Sequence, residues 1–390
     1  MSAPPRAARR AVVAIFAING IALSSWYPHI PAVQRKLELS DGTLGLALLG
    51  VPVGALGAMA ICGWLLARFG SEHVTRVAAL VLCATLPLPG LAPNLFLLTL
   101  VLALLGMANG TLDVAMNAQA VEIERRYHRP ILSSFHAAFS LGGLASAGLA
   151  IVIIGQGVGT VAHLTGAAVI LGVSALVVSR WLLPVEPEAK GGPAFARPTR
   201  GILWLGVIAF CVLLGEGAMA DWSAVYLRNT LETSAGFAAA GYAAFSATMA
   251  IGRLTGDRLT AHLGPVRLIQ GGGLVIAIGL GLGVVIAHPV TALIGFAGVG
   301  AGMATLFPVL LSVAARVRDI PTGPALAAVT AIGYTGFLAG PPLIGLLAEG
   351  ISLRWALGVV AMLGVVIAAL APTASGASSA VTEAERVQTA

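Results

Sequence analysis

Long apolar runs alternate along the chain with short polar breaks. Divided at its charged, Pro and Gly punctuation, the sequence gives twelve runs, approximately 11–32, 42–67, 74–92, 94–121, 131–154, 160–183, 201–228, 235–256, 265–287, 290–315, 322–347 and 353–371. Most are near the roughly 20 apolar residues that a helix needs to cross the hydrocarbon layer. The pattern therefore predicts an all-α integral membrane protein with twelve transmembrane helices. The longest polar interval, 184–200, is rich in Pro, Gly and charge and reads as a cytoplasmic linker between two six-helix bundles, 1–183 and 201–372. Residues 373–390 are small and polar, and read as a disordered cytoplasmic tail.

Composition sharpens this. Charged residues make up 10% of the chain and hydrophobic ones 58%, against about 25% charged in soluble domains, so a water-facing surface could not be covered. A soluble enzyme is excluded. The net charge of +6 comes from basic residues strung out between apolar runs rather than gathered on one face, so no nucleic-acid partner is expected. Cys62, Cys83 and Cys211 lie inside apolar runs with no CxxC spacing, and neither a phosphate-binding GxxxxGK[ST] nor a His/Cys/acid cluster occurs. No disulfide, metal or other cofactor is expected. Arg6, Arg9 and Arg10 before Ala11 mimic a signal peptide, but the apolar run continues to Tyr27 without a cleavage pattern and reads as a retained first span. With the N-terminus inside, 18 of the 22 Lys and Arg fall on the inner side and 4 (Arg35, Lys36, Arg228, Arg354) on the outer. That bias supports an even number of spans, with both termini cytoplasmic in the inner (plasma) membrane.

The halves also repeat at an offset near 194. Leu37-Glu38-Leu39-Ser40 aligns with Leu231-Glu232-Thr233-Ser234, Thr111-Leu112 with Thr305-Leu306, and Gly142 with Gly336; Trp26 and Trp222 match with a two-residue gap, and Arg68 and Arg258 match near offset 190. Two parallel six-span repeats mark a transporter built from two bundles, with a substrate site near the bilayer midplane.

On these features the sequence resembles the major facilitator superfamily over nearly its whole length. The resemblance rests on the twelve spans in two halves, the 2–3 loop Gly63-x-x-x-Ala67-Arg68-x-Gly70, its counterpart Gly252-Arg253-Leu254-x-Gly256-Asp257-Arg258, and Gly340-Pro341-Pro342-x-x-Gly345 in span 11. An acidic residue is usual in the family where Ala67 stands. A family-style charge clasp is therefore expected in the second half alone, from Asp257 and Arg258, with Arg68 as the first-half gating residue. The stretches from Gly106 to Asn117 and from Glu216 to Trp222 resemble a bacterial branch near the fucose:proton symporters.

Ionisable groups inside the membrane are expensive and mark function. Asn109, Asp113 and Asn117, at i, i+4 and i+8, put a polar stripe on one face of span 4 near mid-membrane. A carboxylate there suits reversible protonation, and Asp113 is the expected proton carrier, the alternative being an Asp tied permanently to its neighbours. Glu216, midway along span 7, approaches the same depth and is the second proton-coupling candidate; Asp221, nearer the outside, reads as a gate residue. Glu122 lies close to Arg125, Arg126 and Arg129 and reads as an interfacial carboxylate. Asn19 in span 1, Asn109 and Asn117 of the span 4 stripe, and the deep, repeat-related Trp26 and Trp222 are candidate solute contacts, whereas Trp64, Trp181, Trp204 and Trp355 fall near helix ends, where aromatic belts form. His136 reads either as a proton relay or solute contact or, as is commoner for a lone His, as packing near the cytoplasmic mouth. In the second half Phe307 stands at the repeat position of Asp113 and Tyr334 at that of Ser140, so this half is expected to supply aromatic contacts.

Two transport readings follow. The first is a proton-coupled symporter of a small polar, sugar-like solute, monomeric in the bilayer, with sodium a weaker alternative to protons. The second is a proton-coupled exporter of drugs or metabolites, disfavoured because span 5 has no Gly-Pro pair. No unpaired Arg or Lys is expected deep in the protein, which favours a neutral or cationic solute over an anion.

Overall fold

A computed structural model of the protein describes residues 6–127, 131–184, 200–317 and 322–374. Helices make up nearly all of it, and among the described residues there is no strand. The first half contains α1 (Arg6–Trp26), α2 (Ile30–Lys36), α3 (Asp41–Leu48), α4 (Gly50–Thr85), α5 (Leu88–Leu91), α6 (Leu95–Tyr127), α7 (Leu132–Gly155) and α8 (Thr160–Val178). The second contains α9 (Arg200–Val225), α10 (Ala235–Ile286), α11 (Pro289–Met303), α12 (Leu306–Ala314), α13 (Thr322–Ile351) and α14 (Leu353–Leu370). Twelve stretches of these helices are long and apolar enough to cross a membrane. The linker and tail expected at 184–200 and 373–390 lie almost wholly outside the described residues.

Two helices run through two spans each. α4 bends at Gly70 (φ 75°, ψ 154°) and α10 at Gly264 (φ 73°, ψ 165°), a backbone conformation that a Cβ all but forbids. The two glycines are 194 residues apart, and the same spacing recurs elsewhere. Glu38 and Glu232 both have φ 52°. The Ser40 hydroxyl accepts from the Thr43 N–H and the Ser234 hydroxyl from the Phe237 N–H, each at 3.2 Å. Asn94 caps Leu97 at 2.9 Å, and His288 caps Val290 at 3.3 Å. Each pair places the same capping or turning device at equivalent points of the repeat. In this register Arg68 is equivalent to His262, not to Arg258, because the shared turn is fixed by Gly70 and Gly264.

Helix packing repeats as well. A Cβ on Gly142 of α7 would lie 2.5 Å from the Ala17 carbonyl oxygen of α1, and one on Gly336 of α13 would meet the Phe210 carbonyl of α9. Small residues let these backbones touch, which is how helices associate when lipid is as apolar as the side chains. Large apolar residues such as Phe96, Ile170 and Leu254 point outward, and Trp64, Trp181, Trp204 and Trp355 are exposed. The described residues cluster into two compact units, one drawn from Met1–Lys190 and Ala224–Ser246, the other from Gly191–Ser223 and Ala247–Ala390.

Candidate functional site

In the first unit, α6 presents the polar stripe. Asn109, Asp113 and Asn117 are all half-buried. The Asn117 amide donates to the Asp113 backbone carbonyl at 2.8 Å and to its carboxylate at 3.3 Å. Among the described residues no cation pairs with Asp113. A carboxylate inside a membrane span is costly unless it is paired, and this one has a single long side-chain hydrogen bond among the described residues. Asn19 comes to this helix from α1, its amide donating weakly to the Met116 sulfur at 3.8 Å, while its own carbonyl oxygen is buried and unpartnered. The Asn109 carbonyl oxygen is likewise buried without a partner.

Trp26, 2% exposed, closes α1, and its indole N–H is also buried and unpartnered. Around it Ser25 bonds Ser146 at 2.9 Å, Ser24 bonds Tyr242 at 3.1 Å, and the Tyr27 ring packs on that of Tyr242 at 4.9 Å between centroids. His136 is exposed on α7 and sits edge-on to Phe16, 5.3 Å between centroids. Buried polar atoms without partners are rare in folded proteins. Here three of them, on Asn19, Trp26 and Asn109, belong to residues already singled out for solute contact.

In the second unit, Glu216 has a partner that the sequence did not suggest. The Arg253 guanidinium of α10 lies 3.4 Å from the Glu216 carboxylate on α9. This cation is paired with an acid, whereas the expectation above concerned unpaired Arg and Lys. Asp221 is half-buried, and among the described residues nothing hydrogen-bonds to its carboxylate. Trp222 is fully buried with its indole N–H unpartnered, as is the neighbouring Ser223 hydroxyl. Phe307 on α12 packs near Gly333 of α13, and Tyr334 packs on Phe337 at 6.2 Å between centroids. Phe337 in turn lies against α9 at Gly217, beside Glu216.

The expected gating charges are less connected. Arg68 is exposed and stacks over Phe69 at 5.8 Å; Arg258 is also exposed, and its carbonyl meets the His262 ring at 2.7 Å. The Asp257 side chain lies outside the described residues. Glu122 holds Arg125 and Arg126, each at 2.7 Å, as an interfacial carboxylate would.

The family model described as the Major Facilitator Superfamily matches residues 12–321. The chain belongs to that superfamily. It is 37% identical over 356 residues to an uncharacterised MFS-type transporter of Yersinia pestis, covering 91% of this chain and 93% of that one. Solved superfamily structures share its fold. A D-xylose-proton symporter superposes with a TM-score of 0.74 at 15% identity, over 95% of this chain and 97% of its own. The nucleoside transporter NupG gives 0.73 at 14% identity over 93% and 98%. The protein is thus a multi-pass membrane transporter of the superfamily rather than a member of an enzyme family.

Proposed function

We propose that the protein moves a small, polar, neutral solute by alternating access, in symport with protons. The observation that carries this reading is Asp113: a mid-span carboxylate whose one side-chain partner among the described residues is Asn117 and which no cation among them neutralises. Asn19, Asn109, Trp26 and Trp222 contact the solute, and their unpartnered amide and indole groups are where its hydroxyls bind. Pairing of Arg253 with Glu216 leaves no net charge at that point of the second unit, which favours an uncharged solute. Glu216 is the second coupling group, its proton traded against the ion pair. His136, Phe307 and Tyr334 line the solute path. Arg68, Asp221, Asp257 and Arg258 gate it, with both termini in the cytoplasm and the chain acting as a monomer. The same fold serves a D-xylose-proton symporter, so pairing a sugar with a proton lies within its repertoire.

The test is proton movement across liposomes containing the purified protein, driven by neutral sugars, polyols, amino acids or cationic drugs. Protons moving with a solute in the wild type, and not in Asp113→Asn, support symport and its carrier. Protons moving against the solute would establish the exporter instead, and an Asp113→Asn protein that still couples would remove Asp113 from the mechanism.

A further inference from the structure

A pair of histidines lies well away from Asp113 and takes no part in the site above. His29 ends the short turn after Trp26, ten residues beyond Asn19, which is roughly 15 Å along a helix. Its Nε2 is 2.7 Å from Nδ1 of His163 in the first turn of α8, and its Nδ1 is 3.1 Å from the Thr160 hydroxyl. The rings meet edge-on, 5.0 Å between centroids, and the residues are 2% and 7% exposed. Both sit at the membrane face opposite the N-terminus, where α1 ends and α8 begins.

The surroundings hold few charges, and those are engaged elsewhere. On the first span Tyr27 packs on Tyr242, Arg35 donates to Asn229 at 3.2 Å, and the Lys36 ammonium donates to the Gly90 and Ala92 carbonyls at 2.8 and 3.0 Å. Asp41 accepts from Gln34 at 2.8 Å. Gly90, on α5, lies against Thr160, where its Cβ would be 3.0 Å from the threonine methyl, so the carbonyl that Lys36 holds belongs to a residue packed on Thr160. On α4, Cys83 packs against Gly172, and Glu72 with Arg76 lies at the far end of α8 beside Ser179. Among the described residues no carboxylate bonds to either ring.

Counting protons shows what such a pair can hold. A 2.7 Å nitrogen–nitrogen contact requires one N–H in the gap and one lone pair opposite it. With both rings neutral this is met, and Thr160 donates to or accepts from the remaining nitrogen of His29. One added proton is also accommodated: a charged His29 donates to His163 on one side and to the Thr160 oxygen on the other. A second is not, because it sets two N–H groups and two like charges against each other at the same contact. We propose that His29 and His163 form a second proton-binding site, separate from Asp113, that holds a single shared proton and parts α1 from α8 when it takes another.

Hydrogen–deuterium exchange on the full-length protein in lipid nanodiscs tests this without any solute, so its outcome is independent of the symport reading. Exchange is followed over residues 24–36 and 158–166 from about pH 8 to about pH 5, corrected for intrinsic rates. In the wild type both segments lose protection together on acidification, by at least about tenfold. His163→Gln stays protected, since glutamine accepts from a charged His29 and never carries the second charge. Asp113→Asn responds as the wild type does. Unchanged protection in the wild type, or opening of His163→Gln at the same pH, overturns the proposal. Should His163→Gln not fold, nitrogen-15 histidine spectra of the wild type decide: two rings titrating independently, each with one simple step, are equally fatal to it, whereas a coupled pair with a shared proton supports it.

Discussion

The Arg253 guanidinium lies 3.4 Å from the Glu216 carboxylate, a contact between α10 and the middle of α9. It is looser than the Glu122 pairs at 2.7 Å, and its side chains are 36% and 26% exposed. Removing either partner leaves a lone charge in the membrane span. Because the pair is partly exposed, the loss should be about 1–2 kcal/mol rather than the 3–5 of a sealed pair. Arg253→Gln and Glu216→Gln should each lower the thermal midpoint in detergent, and the double variant should recover at least half the loss. Strictly additive losses would show that the pair contributes nothing.

The indoles of Trp26 and Trp222 give a second expectation. A buried N–H without a partner costs folding energy, roughly 1–3 kcal/mol, unless something else accepts it. If a solute hydroxyl does, Trp26→Phe keeps one aromatic ring but loses the N–H, and it weakens solute binding about tenfold, while the smaller ring lowers the thermal midpoint only modestly. Titration calorimetry with the transported solute separates the cases. Unaltered affinity together with a lower midpoint would assign Trp26 to packing.

Gln119 of α6 is fully buried and fully used. Its amide donates to the Ser71 hydroxyl at 2.8 Å and to the Leu183 carbonyl at 2.7 Å, and its oxygen accepts from the Leu183 N–H at 2.9 Å. Gln119→Leu strands both backbone groups of Leu183, a penalty on the order of 2–4 kcal/mol. Faster hydrogen exchange confined to the end of α8 and the residues after it, with a lower midpoint, is the expected result. A stability within about 0.5 kcal/mol of wild type would mean that water takes over the bonds.

The spans were readable because lipid leaves the chain no choice: backbone groups must be satisfied within helices, and helices must be apolar for about 20 residues. The repeat was readable at Leu37–Ser40 and Leu231–Ser234 because a cap and a left-handed turn need particular residues. Arg253 was not. A polar cluster, Arg253 to Arg258, resembles the start of a loop, but α10 continues to Gly264, where the backbone turns. That puts Arg253 eleven residues before the bend, roughly 16 Å back along the helix, within reach of Glu216. The His29–His163 contact was hidden for another reason, since its residues are 134 apart and nothing in the periodicity of either span says which helix lies beside it. Asp113 stands out by its stripe, but that no cation among the described residues pairs with it is a property of the packed helices.

The close approach between α4 and α6 supports the last prediction. Gly50 and Gly54 on α4 face the Thr99 and Ala103 carbonyls, while Gly106 and Gly110 on α6 face the Val51 and Ala55 carbonyls. Each helix thus offers two glycines four apart to the other's backbone, and a Cβ on Gly54 or Gly106 would overlap a carbonyl that cannot rotate away. The helices must then part, at a cost of about 3 kcal/mol or more. Gly54→Ala and Gly106→Ala should lose most of the monodisperse peak in fluorescence-detected size exclusion. Gly148→Ala, where a Cβ meets nothing within 4 Å, should match wild type. Because Asn109 and Asp113 lie on α6 next to this seam, any Gly106→Ala protein that does fold should bind solute more weakly. Wild-type affinity in such a protein would show that the seam sets stability alone and not the geometry of the polar stripe.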